Sequence, residues 1–157
     1  MKKVLVFLFA VLLLAVTGCG QSRGDGFLKV EKGDYRAVWG DHYQYGIPIL
    51  IETFAQWQRF LEDHPAQSDT EDVLKREYKE DFFGDHVLYV FIKEESSGSN
   101  TLTVKGAKME NDTLELIMER VVPAEGTDDL ATRICIFGIK KEDVENVKTV
   151  NEVILAP

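Results

Sequence analysis

The spacing of apolar residues predicts an α+β fold: a mostly antiparallel β-sheet of about five to seven strands packed against one main α-helix, in a single domain. Three observations carry this expectation. Between Thr53 and His64, the residues Phe54, Trp57, Phe60 and Leu61 fall on one helical face. From His86 onward the period changes to two, with turn-forming residues between the apolar runs. The chain has 157 residues, enough for one core of this kind, and shows no internal repeat or low-complexity tract.

Taken in order, Phe27–Glu31 and Tyr35–Trp39 read as short strands around Lys32-Gly33-Asp34. Tyr43–Ile51 is extended, with Gly46 and Pro48 marking an edge or a bend. Thr53 and Gln56 form a capping-box pair that starts the helix. His64 ends it, because the residue before Pro65 avoids the α region. Burial of Phe54, Trp57 and Phe60 against the sheet is worth roughly 1.5–3 kcal/mol each. Thr70–Glu80 carries a second, weaker helical pattern on Val73, Leu74 and Tyr78.

Val87–Ile92 is apolar on both faces, which suits a central strand covered on two sides. Thr101–Ala107 and Thr113–Val122 alternate. Leu102, Val104, Leu114, Leu116 and Met118 face inward, while Thr101, Thr103, Lys105, Glu115 and Glu119 face outward. Joined by Asn111-Asp112, these two segments predict a hairpin with one wet face. Thr132–Ile139 reads as a strand, Lys141–Val144 as a helical turn and Lys148–Leu155 as a last strand.

The N-terminus reads as an address. Lys2 and Lys3 precede an unbroken apolar run from Val4 to Val16, too short to span a bilayer and suited to a signal-peptide core. The next residues, Val16-Thr17-Gly18-Cys19, resemble a bacterial lipobox. The resemblance implies cleavage before Cys19 and a diacylglycerol thioether on its sulfur. Two acyl chains hold a protein stably where one holds only marginally. The expected organisation is a signal peptide over 1–18, a lipidated cysteine and tether over 19–26, and one domain over 27–157. The expected location is the bacterial cell membrane, lipid-anchored and facing away from the cytoplasm.

Charge narrows the function classes. The chain carries 18 basic and 27 acidic residues, a net of −9. Removal of Lys2 and Lys3 with the leader lowers the net to −11. Such a surface argues against nucleic acid, whose binding needs clustered Lys and Arg, and against protein contacts to anionic headgroups. With Cys19 acylated, Cys135 stands alone within an apolar run, Ile134-Cys135-Ile136, and reads as a buried small hydrophobe rather than a thiolate. The histidines occur as Asp41-His42, Asp63-His64 and Asp85-His86. Neighbours in sequence point to different faces, so these pairs are expected to stand apart as surface residues at element boundaries. No HExxH, paired CxxC or Gly-x-Ser-x-Gly pattern occurs. The sequence therefore singles out no catalytic residue, no metal ligand and no cofactor, and the expectation is a protein that is not an enzyme.

The order of segments resembles the PrcB-type domain of small bacterial lipoproteins attached to a surface protease complex. The segments are a helix over Phe54–Leu61, Asp81-Phe82, the strand Val87–Ile92, the turn Ser97-Gly98-Ser99, a hairpin over Leu102–Met118, Pro123, and the strand Ile134–Ile139. In place of the family's Pro-x-Gly-Gly-Tyr type turn this chain has Ser96–Asn100. The resemblance, over about residues 49–140, implies a part in stabilising or assembling a protease rather than hydrolysis. The expected function is a non-enzymatic domain that binds another exported protein, such as a surface protease. The alternative is a small-ligand or metal-binding envelope lipoprotein. Candidate partner-binding residues are Ser97, Gly98, Ser99 and Asn100 in one loop, and Pro123, Asp128 and Asp129 in the acidic loop Pro123–Leu130.

Overall fold

The computed structural model describes residues 26–68 and 70–156. The expected signal peptide, Cys19 and the tether up to residue 25 lie outside them. No helix among the described residues is long and apolar enough to cross a membrane.

The elements in chain order are β1 (Phe27–Leu28), β2 (Glu31–Ala37), β3 (Ile49–Ile51), α1 (Phe54–Asp63), α2 (Glu71–Glu77), α3 (Phe82–Asp85), β4 (His86–Glu95), β5 (Thr101–Glu110), β6 (Thr113–Val121), β7 (Ala131–Lys140), α4 (Lys141–Val144) and β8 (Thr149–Leu155). The α+β class is as expected, but its arrangement differs from a single sheet. Among the described residues, eight strands form two four-stranded sheets, ordered β1-β5-β6-β8 and β2-β7-β4-β3. Every pairing is antiparallel except β6 with β8, which run parallel. That parallel return is possible because β7, in the other sheet, and α4 supply the crossover between them.

Two apolar layers hold the structure, and β4 and β7 contribute to both. Leu88, Val90 and Ile92 of β4, with Ile134 and Ile136 of β7, pack beneath Trp57 and Leu61 of α1, Leu74 of α2 and Phe83 of α3. The alternate residues Val87, Tyr89, Phe91, Cys135, Phe137 and Ile139 face the other sheet, against Leu102, Ala107, Leu114, Leu116 and Met118. A run apolar on both faces is what a strand between two hydrophobic layers requires. β4 is thus covered on two sides, as its sequence predicts. The sheets are joined where β1 passes into β2: Leu28 pairs with Ala107 in one sheet, and Glu31 pairs with Gly138 in the other.

α1 starts as expected. The Thr53 hydroxyl accepts from the Gln56 amide at 3.2 Å, and the Gln56 side chain accepts from the Thr53 amide at 3.1 Å. Trp57 and Phe60 stack with ring centroids 5.7 Å apart. α3 was not expected from the sequence. It is one turn that sets Phe82 over Gly138, where a Cβ would stand 2.8 Å from the ring. The hairpin β5–β6 has the predicted wet face, with Lys105 and Glu119 paired at 3.0 Å. Its alternation breaks at a bulge between Val104 and Gly106, so that Ala107 rather than Gly106 turns inward.

Candidate functional site

The registers place three connections at one end of the two-sheet stack. Residues 38–48 leave β2 and enter β3, residues 96–100 leave β4 and enter β5, and residues 122–130 leave β6 and enter β7. This loop end lies opposite the hairpin turn Asn111-Asp112, where Asn111 adopts φ 56°. The described chain enters at the hairpin end, because Phe27 pairs with Lys108.

Two of the loops, which contain all the sequence-derived partner residues, are stitched together. The Asp129 carboxylate accepts from the Gly98 amide at 2.9 Å and from Arg36 at 2.7 Å. Arg133 donates to the Gly98 carbonyl at 2.7 Å. The Ser97 hydroxyl accepts from the Thr127 amide at 2.8 Å and lies 2.9 Å from the Ser99 hydroxyl. Hydrogen bonds from the Thr127 hydroxyl, Arg36 and the Gly98 amide hold the Asp129 carboxyl down at about 2. Gly98 is needed here, since a Cβ would collide with the Asp129 carboxylate. The structure therefore brings Gly98, Ser99 and Asp129 to one seam. Ser97 and Asn100 are buried, at 8% and 2% exposure, so they shape this surface from beneath. Pro123 and Asp128 are exposed in the acidic loop.

Below the seam, Asn100 donates to Glu95 at 2.8 Å, and Arg120 grips the same carboxylate through Nε at 2.8 Å and Nη2 at 2.6 Å. Burial pushes the Glu95 carboxyl up, but these hydrogen bonds outweigh it and hold it below its usual range.

The third loop was not a candidate in the sequence. Trp39 is 43% exposed with its indole N–H on Glu94 at 2.8 Å, and Ile47 is 59% exposed. Eleven large apolar residues are exposed among those described. Val38, Trp39, Ile47, Val122 and Leu130 lie in the loops of this end, and Val121, Ile154 and Leu155 lie within a few residues of it. Only Phe27, Leu50 and Val73 fall elsewhere. Trp39 and Ile47 sit among Gly40, Gly46 and Pro48, and a large apolar residue amid turn formers, with no period to bury it, was the signal available.

A cleft of about 530 Å³ opens beside this end, between α1 and the stretch from His42 to Ile51. Tyr43 takes His42 and His64 against its ring, at centroid separations of 4.6 and 4.4 Å. The His64 ring also stacks on Phe60 at 4.2 Å. Its Nδ1 lies 2.9 Å from the Phe60 carbonyl, which only accepts, so Nδ1 carries the hydrogen. Burial lowers the His64 pKa from its ordinary value and favours the neutral ring.

The histidines correct one expectation. Asp85 and His86 do pair, at 2.6 Å, and Asp41 lies 3.7 Å from His42. The chain changes from helix to strand at His86, so the constant angle between neighbouring side chains does not apply there. His86 helps to hold the Asp85 carboxyl below its usual range. Cys135 is fully buried, and burial pushes its thiol well above the usual range. No group of three or more His, Cys, Asp or Glu among the described residues is placed to hold a metal ion.

No family model, curated protein or solved structure matches this chain.

Proposed function

We propose that the protein is a membrane-anchored lipoprotein, held through a lipid on Cys19, whose domain binds another exported protein and performs no chemistry of its own. The observation that carries this reading is the gathering of exposed apolar residues at the loop end. Exposed apolar residues gathered at one end favour a site of protein contact more than single scattered residues do. The stitched loops give that surface a fixed shape, so little ordering entropy is lost on association.

The direction of the chain agrees with this use. The segment from Cys19 to Gly26 reaches at most about 25 Å when fully extended. It meets the domain at the hairpin end, and the ten-residue strands β4 and β7 place the loop end about 30 Å further on. This polarity favours presentation of the surface away from the bilayer. The acidic loop adds Glu125 and Asp128, so the fitting partner is basic and its association weakens as salt is raised. The segment order that resembles PrcB-type domains favours an exported protease complex as that partner.

The test is isolation from the native membrane after mild crosslinking. The wild-type chain is expected to enrich an exported protein over a control lipoprotein, and the Val122→Asp, Leu130→Asp double variant to lose it about tenfold or more. No enrichment, or equal enrichment by the double variant, contradicts the proposal.

A further inference from the structure

The cleft beside the loop end has two unlike walls. One is β3, which among the described residues pairs only with β4 and leaves its other edge free. The other is the outward stripe of α1 that includes Gln56, Arg59 and Asp63. The floor between them is apolar, made by Tyr43, Ile49, Ile51 and Phe60. An open strand edge alongside a helix, over an apolar floor, matches the way an extended peptide is recognised by strand addition. The backbone supplies the hydrogen bonds, and alternate side chains drop into the floor.

Charge specifies the occupant further. Among the described residues Arg36, Arg76, Arg120 and Arg133 each donate to an oxygen of the chain. Of the described arginines, Arg59 alone forms no hydrogen bond or ion pair, although Asp63 follows it by one helical turn. In a chain of net charge −9, an exposed guanidinium left unpaired beside an apolar floor is a site for a carboxylate. Attraction of the basic partner to the acidic surface acts on the whole partner at a distance, whereas a single close contact to one of its acidic residues sets the register.

We infer that this cleft binds an extended segment of the partner protein that carries a large apolar side chain with an acidic residue within two positions of it. The segment lies along the free edge of β3, its apolar side chain rests on Phe60 and Ile51, and its carboxylate meets Arg59. This rests on the reading of the domain as a protein-binding module and names the part of the partner that it holds.

A random octapeptide display library panned on the detergent-solubilised full chain tests the inference. Enriched peptides are expected to pair a large apolar residue with Asp or Glu. Arg59→Ala is expected to weaken them about tenfold, and Arg59→Glu to shift enrichment toward Lys and Arg. N-methylation of alternate amides in an enriched peptide is expected to abolish binding in one of its two registers. Arg59 forms no hydrogen bond or ion pair that its replacement would remove, and unchanged thermal melting of both variants checks their folding. Absence of apolar–acidic peptides, or an acidic preference that survives Arg59→Glu, overturns the inference. Partner capture that persists in that case, and still depends on Val122 and Leu130, means the cleft assignment alone has failed.

Discussion

His64 lies between the rings of Tyr43 and Phe60 with its Nδ1–H on the Phe60 carbonyl, and this packing has a measurable cost in acid. Burial lowers its pKa from the ordinary 6.5. The unfolded chain therefore takes up the proton first as pH falls. The stability due to the neutral ring is complete above about pH 6.5 and is lost as pH drops through the unfolded value toward the lower folded one. Glu95 and Asp129 also have lowered values, but they act in the carboxylate range, further down. The urea midpoint is thus expected to fall between about pH 7 and about pH 5 in the wild type, and to stay nearly flat over that range in His64→Gln. An equal fall in the variant would place the sensitivity elsewhere. Two of the three Asp-His pairs show what sequence alone conveys at this scale. Adjacency was legible, but whether the two side chains meet depended on the local turn, which closes at His86 and leaves a longer separation at His42.

At the scale of elements, the ion pair between Glu95 of β4 and Arg120 of β6 ties the two sheets at the loop end. The Glu95 side chain is fully buried, and Arg120 is one-third exposed. Removal of the cation leaves a buried carboxylate without its counter-charge, so Arg120→Ala is expected to cost about 3 kcal/mol of unfolding free energy by urea denaturation. A loss below about 0.5 kcal/mol would show that the pair is only a surface contact. The elements themselves were largely legible. The capping box of α1, the two-faced β4 and the alternating hairpin all follow from local period and turn chemistry. The division into two sheets was not, because Lys29-Val30, where the chain passes from one sheet to the other, carries no turn former. The bulge at Lys105 was missed although Gly106, an isolated glycine in an alternating strand, is a signal for one, and the one-turn α3 is too short to leave a helical period.

The whole molecule is polar along one axis. The chain enters the domain at one end, and exposed apolar residues gather at the other. Sequence reasoning reached two of the three loops there through turn residues, and missed the third because Trp39 and Ile47 read as parts of the extended segments Tyr35–Trp39 and Tyr43–Ile51, whereas β2 ends at Ala37 and β3 begins at Ile49. It had no means of seeing that Gly98 and Asp129 would meet, since only the fold brings residues so far apart in sequence to one seam. The most direct measurement is photo-crosslinking on the native membrane, with a photo-reactive analogue replacing Trp39 or Val122 at the loop end, or Asp112 at the hairpin end. The account predicts adducts to an exported protein from the first two positions and none from the third. Adducts from the hairpin end, or none from either end, would contradict it.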